Sequence, residues 1–66
     1  MNLVVNGENL EIDKHLNAQD LITQLGYQDQ RIALEINKVI IPKSKHTKFN
    51  LNDGDKIEII KAVGGG

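Results

Sequence analysis

Between Asn17 and Gly26 the chain spells out one short helix with its own start and stop signals, and almost every other apolar stretch reads as strand. A lone helix of two turns cannot bury its own apolar stripe, so a sheet has to cover it. Asn17 stands at the N-cap position, and Asp20, three residues on, sits in the first turn where the helix dipole favours an anion. Leu16 and Leu21 are spaced for a hydrophobic staple across the cap. Leu21, Ile22 and Leu25 form the stripe. Gly26 falls at the left-handed C′ position, with Tyr27 able to fold back on Ile22. The spacing predicts a helix over 18–25.

Residues 3–5 and 9–13 flank Asn6-Gly7, a pair suited to the type I′ turn because both central positions there need positive φ. Leu10 and Ile12 alternate with Asn9, Glu11 and Asp13, giving the second strand one dry face and one wet face. Residues 32–37 and 39–41 read as two further strands turning at Asn37-Lys38. Pro42 ends the second of these, which should be a short edge strand because proline cannot donate to a ladder. Residues 43–50 are polar and irregular, with Phe49 and Leu51 as anchors to the core. Asp53-Gly54 is a turn, and residues 56–63 form the last strand.

That order predicts an α+β chain of the β-grasp type, a mixed four- to five-stranded sheet packed on one main helix. The first and last strands should be central, parallel neighbours, since the helix lies in the connection between them. The domain is expected over 1–63, leaving 64–66 as a tail.

Sixty-six residues without a cysteine make one small domain with neither a disulfide nor a cysteine-based metal site. So short a chain buries only about 60% of its unfolded surface. There is too little of it to enclose a substrate pocket of the usual size. Eight basic against nine acidic side chains argue against nucleic acid as the main partner, which needs a clustered positive excess. No signal peptide and no membrane-length apolar run is present, so a cytoplasmic protein is expected.

The sequence closes on Val63-Gly64-Gly65-Gly66. Glycine packs nothing and loses the most entropy on ordering, so a fold gains little from such a run. Extended, three residues span roughly 10 Å and enter a slot too narrow for side chains. They present the Gly66 α-carboxylate, ionised at neutral pH, at their tip.

The stretch from Ala33 to Pro42 (Ala-Leu-Glu-Ile-Asn-Lys-Val-Ile-Ile-Pro) resembles the middle of the ThiS family, ubiquitin-like sulfur carriers of thiamin biosynthesis. Leu51 to Ile60 (Leu-Asn-Asp-Gly-Asp-Lys-Ile-Glu-Ile-Ile), followed by Ala62 to Gly66, resembles the family's end. The departure is a third glycine where the family minimum is two. The resemblance implies that an adenylating enzyme of the ThiF type docks the domain, threads Gly64 and Gly65 into its ATP site and adenylates Gly66. Sulfur from a cysteine-desulfurase-derived persulfide then makes a C-terminal thiocarboxylate, which thiazole synthase consumes. The chain itself would be no enzyme, with no catalytic residue, bound cofactor or metal; ATP belongs to the partner.

Strand alternation suggests where a partner docks. With Leu3, Val5, Ile57 and Ile59 facing the helix, the outer face carries Val4, Ala33, Ile60 and Ala62, and leads to Val63. The bland alternative is a scatter of small apolar residues on an ordinary surface. Lys43, Lys45, His46 and Lys48 form a basic run that reads first as a solvated loop. His15 and His46 lack the paired spacing of a metal site and read as surface histidines. Asp53 and Asp55 are explained by turn chemistry. The small subunit of molybdopterin synthase, a lysine-conjugating protein modifier and a plain β-grasp binding module are the rival readings.

Overall fold

The computed structural model describes residues 1–62 and contains five strands and one α-helix. They are β1 (Asn2–Val5), β2 (Glu8–Glu11), α1 (Ala18–Gln24), β3 (Ile32–Ile36), β4 (Val39–Ile40) and β5 (Lys56–Lys61). A single 3-10 turn, Lys43–Lys45, lies in the stretch expected to be irregular. The sheet order is β2-β1-β5-β3-β4, with β1 and β5 parallel and every other pair antiparallel. This is the β-grasp arrangement expected from the order of elements. The short strand β4 is at the edge, where Pro42 stops it.

Local chemistry sets the helix ends. Asn17 Oδ1 accepts from the Asp20 backbone N–H at 2.7 Å, and the Asp20 carboxylate accepts from the Asn17 N–H at 3.1 Å, a closed capping box. At the other end Leu25 is the C-cap and Gly26 takes φ +85°. Tyr27 N–H donates to the Ile22 carbonyl at 3.0 Å and Gly26 N–H to that of Thr23 at 3.1 Å. These are the two bonds of a Schellman motif, and they end the helix one residue before its expected boundary.

The core consists of the inward positions of three strands and the helix stripe. Leu3, Leu21, Leu34 and Ile57 are fully buried, each contributing ~1.5–3 kcal/mol by leaving water. Leu51 is buried and Phe49 half-buried against the same cluster, as their anchoring role requires. The strand ends differ slightly from expectation. Strand β2 stops at Glu11, yet Ile12 stays buried because its N–H donates to the Met1 carbonyl at 2.9 Å and its own carbonyl accepts from the Met1 ammonium.

His46 is the clear correction. Read as a surface residue, it is only 5% exposed, and its Nε2 lies 2.9 Å from the Ile41 carbonyl. Strand β4 ends before Ile41, and the imidazole takes a carbonyl that a longer strand would have bonded. His15, by contrast, is exposed as expected.

Candidate functional site

Strand β5 carries the chain toward the glycines, and three polar side chains fix it in place. Asn6 has φ +50°, which aims its side chain along the parallel ladder, where Oδ1 accepts from the Ile59 N–H at 2.8 Å. Its backbone N–H meanwhile donates to the Ile57 carbonyl at 2.8 Å. Asn6 thus extends β1 by one ladder step at the point where β1 ends. On the other side, Asn37 Oδ1 accepts from the Lys56 N–H at 3.0 Å and Asn37 Nδ2 donates to Asp55 at 3.0 Å. Buried Asp55 also accepts from the Asn52 N–H at 2.8 Å, closing the turn before the strand. Asp53 accepts from the Asn2 N–H at 2.6 Å, so both aspartates serve the turn. Sequence reasoning saw Asn6 and Asn37 only as turn formers. Their side-chain role depends on strands that are distant in sequence.

Beyond Ile59, β5 outruns β1 and keeps β3 as its neighbour. Ala33 lies directly opposite Ile60, and Ala62 N–H donates to the Arg31 carbonyl at 2.9 Å. Ile60 is 57% exposed, and Ala33 and Ala62 are exposed beside it. These three form one apolar patch at the end of β5. Ile40, 68% exposed, adds to it from β4: it lies across from Glu35, a diagonal neighbour of Ala33. Ile40 was missed, although the two-residue turn at Asn37-Lys38 already puts it on the outer face.

Val4 does not join this patch. It is half-buried and opposite Lys56, four residues before Ile60, which places it ~13 Å away along the strand. Glu58 occupies the outer position between them, facing Glu35 across the ladder. Val63, Gly64, Gly65 and Gly66 lie outside the described residues.

Lys43, Lys45 and Lys48 are exposed while His46 between them is buried, so the basic run is a lysine rim around a core histidine. Among the described residues no group of three or more His, Cys, Asp or Glu could hold a metal ion, and no helix is long and apolar enough to cross a membrane. An open groove of about 660 Å³ runs between α1 and the β3–β4 edge. It is a surface trough with no enclosing walls, unlike a pocket that surrounds a substrate.

The ThiS family profile matches residues 3–66. A thiazole synthase of Paramagnetospirillum magneticum is 39% identical over the whole chain, which spans only 20% of that protein's length. The sulfur carrier protein ThiS of Bacillus subtilis is 35% identical, with 97% of this chain and 98% of that protein covered. The crystal structure of the thiamine biosynthesis protein ThiS from Geobacter metallireducens superposes with a TM-score of 0.86 at 30% identity, covering all of both chains. A β-grasp domain whose central strand leads into a glycine run, matched from residue 3 to residue 66, belongs to the ThiS family of sulfur carriers.

Proposed function

We propose that the sulfur this ThiS-family chain carries for thiazole synthesis is held at Gly66. The supporting observation is that the family match runs through the glycines to residue 66, so the tail is part of what the family shares. A carboxylate is a poor acyl donor. In the proposed sequence it displaces pyrophosphate from ATP inside a ThiF-type adenylating partner, which gives it AMP as a leaving group. The terminal sulfur of a persulfide from a cysteine-desulfurase-derived source then displaces AMP. A thiol reduces the resulting acyl disulfide to the thiocarboxylate, which thiazole synthase consumes.

The chain's own contribution is positioning. Gly64 and Gly65 give the slim reach into the partner's site. The patch of Ala33, Ile60 and Ala62, with Val63 next in sequence and Val4 more distant, gives the partner an apolar surface at the end of the strand that precedes the tail. The carrier needs no cofactor of its own, and it works in the cytoplasm, where its partners draw on ATP.

Deleting Gly65 and Gly66 tests this. The shortened chain should fold with an unchanged amide spectrum and fail to restore thiamin-independent growth to a strain lacking its carrier. Growth restored by the shortened chain would overturn the proposal.

A further inference from the structure

The lane beside β3 is only partly filled. Arg31 and Asn37 direct their backbone groups toward β5, through Ala62 N–H to the Arg31 carbonyl at 2.9 Å and Asn37 N–H to the Lys56 carbonyl at 2.7 Å. Antiparallel pairing alternates, so Ile32, Leu34 and Ile36 direct theirs to the opposite side. There Val39 takes Ile36, and Ile41 N–H donates to the Leu34 carbonyl at 2.9 Å. Pro42 then turns the chain away into the 3-10 turn. Among the described residues no strand runs opposite Ile32. Ile32, its backbone groups directed to that side, lines the open groove of about 660 Å³.

The groove combines an apolar floor with a cationic rim. Ile22 and Ile41 line it, and Lys43 and Lys61 stand on it against one carboxylate, Asp29. An unpaired strand edge is a template for another strand, and alternate side chains of an added strand would point to the floor and to solvent. We infer that this groove receives an extended partner segment, aliphatic on one face and flanked by acidic residues, by strand addition beside Ile32. The excess of cations selects the acidic flanks and speeds the encounter. Only one residue's backbone is on offer, so the contact is weak and transient. The groove's lining includes Ala33, Ile60 and Ala62 of the patch described above, and the contact needs no chemistry at Gly66.

The probe is the capped heptapeptide Asp-Val-Ser-Ile-Ser-Val-Asp, whose aliphatic residues share one face, titrated into the full chain labelled with ¹⁵N. The Ile32 and Ile41 amides should shift saturably, and the Ile32 amide should exchange more slowly with solvent. N-methylation of the central isoleucine removes the donor to the Ile32 carbonyl and should abolish those shifts. Exchanging both acids for lysine, or testing the Lys43→Glu chain, should weaken binding roughly threefold, an effect lessened by salt. An unshifted Ile32 amide, or equal binding by the N-methylated peptide, would overturn the inference. So would shifts of the Ile32 and Ile41 amides on deleting residues 64–66 with no peptide present, which would make the chain's own tail the occupant. Sedimentation showing a dimer that the peptide dissociates would assign the groove to a second copy and overturn it likewise.

Discussion

Replacing Ile60 with aspartate should separate docking from folding. A fully buried isoleucine gains ~1.5–3 kcal/mol on leaving water, and Ile60 is still 57% exposed, so about 1–1.7 kcal/mol remains for a partner to collect. Ile60→Asp forfeits that gain and asks the partner to desolvate a carboxylate, which costs a further ~1–3 kcal/mol or more. Together these predict at least about a 30-fold loss of binding. The fold should lose no more than about 1 kcal/mol, the span of strand propensity at an exposed position. Val39 provides the control. It is 60% exposed but opposite Ile36, whose side chain faces the core, so it lies on the other face of the sheet. Pyrophosphate release by the proposed ThiF-type partner, followed over a range of chain concentrations, should show a raised KM for Ile60→Asp and an unchanged KM for Val39→Asp. Equal slowing by both variants, or none by Ile60→Asp, would refute the assignment of the docking face.

Three further variants probe what holds β5. Asn6→Gly keeps positive φ accessible but deletes the bond from the Ile59 N–H, and urea unfolding should register a loss of ~1 kcal/mol. Asn6→Ala loses the same bond and adds ~1–2 kcal/mol of left-handed strain, so it should be the less stable of the two. Asp55→Ala strips the acceptor from the Asn52 N–H and the Asn37 side-chain amide and should cost ~2–3 kcal/mol. That is a large fraction of the ~3–10 kcal/mol available to a domain of this size, so thermal melting should shift strongly.

These variants also mark the division between what was legible in the sequence and what was not. The helix was legible because its caps are local: Asn17 with Asp20, and Gly26 with Tyr27, lie within reach of one another in the chain. The hairpin at Asn37-Lys38 was legible for the same reason, both residues taking positive φ. Alternation correctly sorted Leu3, Val5, Ile57 and Ile59 from Ile60 and Ala62. It could not say which outward residues become neighbours across strands. That depends on register between β1 and β5, and the register leaves Val4 beside Lys56, away from the patch. His46 was missed because its partner is a carbonyl freed by the early end of β4, which no local pattern announces.

The fold places an apolar patch beside the exit of β5, and the central claim is that sulfur is loaded at Gly66. Intact-mass measurement of the chain co-expressed with its adenylating partner and a persulfide source tests it directly. The account predicts a second species heavier by the exchange of one oxygen for sulfur, with fragmentation placing that change on Gly66 and its absence when Gly66 is deleted. A chain that keeps an intact tail and never gains that mass, in the presence of an active partner, would contradict it.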